Sequence, residues 1–160
     1  MPKKVKIYLA GPMTGLHDGG AFYREEFASL QHSFFRSSKI LDPLKNEAKI
    51  AKKFRISKKA LLQGAEALSP KKRKELFQHI IKKDLALVRS ADLLVAYVHK
   101  FSYGTTTEIV TAFLNKIPVF LVWKQPLLDP PPWLLAMSTK VFYDLLPCAK
   151  EIYALYQARI

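Results

Sequence analysis

Short apolar runs alternate along this chain with longer stretches whose apolar residues recur at helical spacing. Residues 5–10 (Val-Lys-Ile-Tyr-Leu-Ala) are β-prone, and Gly11-Pro12 stops them. A glycine-containing loop, 11–20, follows. Over 21–35 the apolar positions Phe22, Phe27, Leu30, Phe34 and Phe35 fall close to the period of a helix. Ile40-Leu41, ahead of Asp42-Pro43, reads as a short second strand with its exit turn, and 47–64 as one basic helical stretch. Ser69 as cap and Pro70 in the first turn open a helix predicted to run to Arg89, with Leu76, Ile80, Leu85 and Val88 inward. Residues 93–98 are uninterruptedly apolar, the pattern of a central parallel strand buried on both faces. Beyond them, 105–115 predicts a helix, 118–123 a second buried strand, and Pro130-Pro131-Pro132 a rigid loop. A fifth strand at 141–143 and a closing helix at 147–158 complete the series.

Strands alternating with helices predict one α/β domain over 1–160. Its expected form is a doubly wound (Rossmann/flavodoxin-like) five-stranded parallel sheet flanked by helices, with right-handed crossovers. Ligands of such sheets bind beyond the carboxyl ends of the strands, near the switch in strand order. Three loops qualify, those after Ala10, Val98 and Trp123.

Composition narrows the class. With 160 residues, 49% of them hydrophobic, the chain can bury a sizeable core, and 24% charged residues argue against wholesale disorder. No apolar run reaches the roughly 18–20 residues that span a bilayer. The basic start, Met-Pro-Lys-Lys-Val-Lys, precedes too short an apolar stretch for a signal peptide and reads as the lead into the first strand. Cys148 is the single cysteine, so no intrachain disulfide can form; a small core residue and a cytoplasmic setting are the expectations. The net charge is +13, and 45–83 supplies +10 of it, from 13 Lys/Arg against Glu47, Glu66 and Glu75. That stretch is either a solvated helical face or a surface attracting phosphate-bearing ligands. It lacks the aromatic-interleaved basic motif of a nucleic-acid reader, which argues against nucleic acid as a partner.

The chemistry-bearing residues cluster in 84–108. In Ser102-Tyr103-Gly104-Thr105-Thr106-Thr107-Glu108, Gly104 is expected to permit a tight turn out of the strand. The threonines are expected to cap an anion-friendly helix start. Glu108, about one turn in, is either a catalyst or a helix-start carboxylate placed for the dipole. Asp84 reads as a surface ion-pair member or as a site carboxylate. Asp92 reads first as a turn residue and is counted with the substrate-binding candidates. Tyr8, at the ligand end of the first strand, is by default a core aromatic. His17, His32, His79 and His99 lack metal-ligand spacing, so neither metal nor cofactor is expected.

Three stretches together resemble the nucleoside 2-deoxyribosyltransferase superfamily. They are Ile7-Tyr8-Leu9-Ala10-Gly11-Pro12, the segment from Asp84 through Ser90-Ala91-Asp92-Leu93-Leu94-Val95-Ala96, and Gly104-Thr105-Thr106-Thr107-Glu108 with Ala112 and Lys116-Ile117-Pro118-Val119. The resemblance spans roughly 5–143. It implies one domain of that type and a covalent glycosyl-enzyme formed on Glu108, resolved by water or a second base. Asp84 would handle the base or leaving group, and the Tyr8 hydroxyl would hold the nucleophile. Gly11, Pro12, Thr14, Ser102, Gly104 and Thr105 would contact substrate. It also implies a homo-oligomer whose neighbouring subunits complete the sites.

Two departures bear on substrate. Ser102 stands where the transferases often carry Asp, and resembles instead the branch that hydrolyses (deoxy)nucleoside 5′-monophosphates, in which Ser contacts the phosphate. Thr14 stands where that branch has Arg, and Leu135 where it has a second Ser. Three readings therefore stand: cleavage of an N-glycosidic bond in a nucleoside, the same chemistry on a monophosphate, and a non-catalytic nucleotide-binding module.

Overall fold

The computed structural model describes residues 4–13, 15, 16 and 18–157. Five parallel strands form one sheet in the order β2-β1-β3-β4-β5: β1 (Lys6–Ala10), β2 (Lys39–Leu41), β3 (Leu93–Val98), β4 (Val119–Trp123) and β5 (Lys140–Phe142). All six residues of β3 are buried, as a strand covered on both faces requires. The alternation of β1 sorts its side chains: Ile7 and Leu9 face one core, Tyr8 and Ala10 the other. Helices α1 (Ala21–Phe34) and α7 (Leu145–Gln157) cover the first face, where Cys148 lies fully buried. The second face is covered by α4 (Pro70–Arg89), α5 (Tyr103–Leu114) and α6 (Pro132–Met137). This is the expected doubly wound architecture.

The chain leaves β1 in one direction to make β2, then returns past it to make β3. The strand order therefore reverses between β1 and β3, and the crevice for a ligand opens there.

Several elements depart from the sequence expectation. The single helix expected over 47–64 is two, α2 (Glu47–Lys53) and α3 (Lys58–Leu62). Arg55 adopts φ 55° between them and Ser57 caps α3 through Ala60 N–H, folding the chain back on itself. The turn lets Ile50, Ala51 and Leu61 close a third, small core with Ala65 and Leu76 of α4. Pro132 opens α6 rather than extending a rigid loop, since its missing N–H costs nothing at a first helical position. On α4, Leu76 and Val88 are buried, but Ile80 and Leu85 only partly; the other buried position is Asp84. No described helix is long and apolar enough to cross a membrane.

Candidate active site

At the reversal point a cavity of about 480 Å³ opens between α4 and the start of α5. Gly11 closes it from the end of β1, Asp84 and Leu85 from α4, and Lys100, Ser102, Gly104, Thr105 and Glu108 from beyond β3. Its carboxylates, Asp84 and Glu108, are supplied by two helices. The Tyr8 hydroxyl donates to Glu108 Oε1 at 2.6 Å, a buried contact between residues 100 apart in sequence.

Local structure explains how each group arrives. Ser102, not a threonine, caps α5: its Oγ accepts from Thr105 N–H at 3.4 Å. Gly104 lies within the first helical turn and makes no tight turn; a Cβ added there would meet only Ser102 Oγ, at 3.7 Å, so the residue leaves room in the cavity. Glu108 falls beyond the first turn and points inward, so the helix dipole does not account for it. The Thr105 hydroxyl is buried with no hydrogen-bond partner among the described residues, and its side chain lines the cavity. Gly11 is required by close packing, because a Cβ would stand 2.3 Å from the Tyr23 hydroxyl. That hydroxyl donates to the carbonyl of Pro12, which is buried behind the cavity wall and does not line it.

One expected contributor lies elsewhere. Asp92 sits at the amino end of β3, where its carboxylate accepts the backbone N–H of Lys6 at 2.8 Å. It ties two strand starts together at the end of the sheet opposite the cavity. Thr14 lies outside the described residues. Asp84 is no surface ion-pair member: it is buried and faces the cavity. Of the three loops, those after Ala10 and Val98 meet here. The loop after Trp123 lines a separate hollow with Lys124 and Asp144.

Two further charged groups were not singled out by sequence. Arg24 is buried beneath the end of β1. Its Nη1 donates to Leu9 O at 3.1 Å and pairs with Asp42 Oδ1 at 2.5 Å, and its Nη2 donates to Gly11 O at 3.4 Å. Glu47, first residue of α2, is buried with one carboxylate oxygen unpartnered among the described residues. The one available signal was position: Arg24 falls on the buried stripe of α1 with Tyr23 and Phe27.

Three buried carboxyl groups, Glu108, Asp84 and Glu47, thus lie within the field of the Arg24 guanidinium, and burial opposes the ionisation of each. Burial pushes Glu108 up to about 8 from its ordinary 4.5, with Asp84 raising it further and the Tyr8 hydrogen bond and Arg24 opposing. Burial likewise raises Asp84 to about 6, against the pull of Arg24 and Lys83. Glu47 rises to about 7, again chiefly through burial, with Lys58 and Arg24 opposing. Tyr8 is driven well above its usual range by burial and by Glu108, so it stays a hydrogen-bond donor. The site therefore holds a donor and two carboxyls raised into the neutral range, a coupled pair in which either group can hold a proton.

No family profile and no curated protein matches the sequence. Solved structures do match. A 2-deoxyribosyltransferase from the psychrotolerant bacterium Bacillus psychrosaccharolyticus, described as a biocatalyst for the synthesis of antiviral and antitumoral nucleosides, superimposes over 91% of this chain and 90% of its own, with TM-score 0.60 and 18% identity. A conserved protein from Enterococcus faecalis V583 superimposes over 98% and 99%, with TM-score 0.64 and 18% identity. A CMP N-glycosidase, BcmB, from Clostridium botulinum aligns over 94% and 98% at 15% identity, but its TM-score of 0.44 supports no argument. At these identities the likeness is one of fold: the chain folds as a 2-deoxyribosyltransferase does.

Proposed function

We propose that the protein cleaves the N-glycosidic bond of a (deoxy)nucleoside or nucleotide, a reading carried by the buried Tyr8–Glu108 hydrogen bond in a cavity that also holds Asp84. In the reactive state Glu108 is ionised and Asp84 protonated. A Glu108 oxygen attacks the anomeric carbon as the bond to the base nitrogen breaks. The bonding pair leaves with the base, which takes the Asp84 proton. Water or a second base then attacks the same carbon and gives its proton to the Asp84 carboxylate, while the carbon–oxygen bond to Glu108 breaks and its electron pair returns to the Glu108 carboxylate. Tyr8 steadies the carboxylate by donating to it, and Arg24 offsets part of the charge from below.

The substrate side of the cavity favours a 5′-monophosphate as the second form of this reading. Lys100, Ser102 and the start of α5 converge there, and Thr105, whose buried hydroxyl has no partner among the described residues, lines the same space. Incubation with a panel of nucleosides and 5′-monophosphates, with and without acceptor base, separates the possibilities. Base release into water marks a hydrolase; exchange that requires an acceptor marks a transferase. Release that proceeds equally in Glu108→Ala would refute the mechanism. Nucleotide binding without turnover across the panel would leave a non-catalytic module.

Self-association belongs to the same proposal. Residues 101–115 and 125–139 contain no Lys or Arg, in a chain of net charge +13, yet expose Tyr103, Leu114 and Trp133. A second copy meeting this α5–α6 face would bury apolar surface where two basic molecules repel least. Sedimentation should find an oligomer that Trp133→Glu dissociates; a monomer at every concentration would refute it.

A further inference from the structure

A second hollow, of about 620 Å³, adjoins the candidate active site along α4. The two share Phe77 and Ile81 as a common wall. Because α4 is longer than α5, its amino-terminal half stands above the cavity mouth, and from Asp84 to Lys74 it rises about 15 Å. Along that wall the chemistry changes in order. Asp84 lies at the bottom, Phe77 and half-exposed Ile81 form an apolar step, and Arg73 and Lys74 stand beyond it. The Arg73 Nε donates to Gly64 O at 2.7 Å, which fixes its guanidinium at the rim. Glu66 also lines the hollow and Glu75 follows Lys74, but Lys71 and Lys72 precede the two cations, and basic residues outnumber acids along this end of α4.

Each hollow alone falls within the usual range for one small ligand, roughly 300–1,000 Å³. Two such spaces in series, divided by an aromatic and rimmed by cations, match a ligand of two aromatic units joined through phosphate. We propose that the second hollow receives the second nucleotide of a dinucleotide whose first nucleoside occupies the Glu108 cavity. The proposal rests on the nucleoside-cleaving reading of that cavity. Phe77 gives the second base an apolar contact, and Arg73 and Lys74 offset the added phosphate.

Calorimetry with 5′-phosphorylated dinucleotides and the matching mononucleotides tests this, alongside base release from both. The dinucleotide should bind about tenfold tighter at low salt, with the advantage shrinking as salt rises. Lys74→Glu should remove most of that advantage, and Arg73→Gln should reduce it. Lys74 is exposed, so its replacement leaves the fold intact even where loss of the Arg73–Gly64 contact does not. Equal affinity for the two ligands, or an advantage untouched by both variants, overturns the proposal. If mononucleotides bind or are cleaved without a dinucleotide advantage, this proposal alone falls. If nothing binds and no base is released, it falls together with the proposed function.

Discussion

Two ion pairs at the carboxyl edge of the same sheet have the same length and differ in burial. After β4, Lys124 pairs with Asp144 at 2.5 Å, with side chains 34% and 67% exposed. Beside β1, Arg24 pairs with Asp42 at 2.5 Å, with side chains 3% and 8% exposed. Water screens the first, and the chain can dispense with it. The second lies where the strand order reverses, beneath the crevice that α4 and α5 line with Asp84 and Glu108. Topology opens the crevice, and burial turns the charges there into a titrating set.

The sharpest break of that comparison is Glu108→Gln, which should lower base release on the order of 10³-fold or more in steady-state assays, while Asp144→Asn leaves it unchanged. The same Glu108→Gln variant has a stability signature. Glu108 is raised in the folded state above its ordinary 4.5, so its contribution is fully present below about 4.5 and is lost as pH rises through about 8. Urea unfolding from pH 5 to 8.5 should therefore decline less steeply in the variant than in the parent.

Next in size is the pair itself. Arg24→Met should cost about 3–5 kcal/mol in urea unfolding, because Asp42 is left buried and uncompensated. Lys124→Ala should cost about 0–1 kcal/mol. Similar losses for the two would erase the distinction between the pairs.

Asp84→Asn should reduce turnover about 10²-fold and reshape the pH profile of kcat/KM. The parent should give a bell with limbs belonging to the coupled pair, near 6 and 8. Without the Asp84 charge Glu108 is easier to ionise, so a single rising limb should remain, displaced below 8. A bell that persists unchanged would remove Asp84 from the chemistry. The smallest effect is expected from Tyr8→Phe, about tenfold in turnover. The Tyr8 hydrogen bond holds Glu108 down, so its loss should carry the Glu108 limb to higher pH.

What the sequence reveals follows the range of the interactions involved. The buried run of β3 and the Ser69-Pro70 helix start are local patterns, and both are legible. The break between α2 and α3 is not, because it depends on Arg55 accepting a left-handed conformation to let Leu61 reach Leu76. Within the site, Glu108 and Asp84 stand out as carboxylates in apolar helices. Arg24 and Glu47 do not, since their burial arises only when α1 and α2 meet the end of β1. Asp92 misleads for the converse reason: it lies beside the most legible strand, but at its wrong end.

Burial holds a proton in the site against the pull of the Tyr8 hydrogen bond. Burial raises both Glu108 and Asp84, so near neutral pH the coupled pair shares about one proton. Passing it to Asp84 produces the reactive arrangement without exchanging a proton with solvent. The empty protein and the one ready to react are then tautomers of the same charge. Ligand capture near neutral pH should release the same heat in buffers of different ionisation enthalpy.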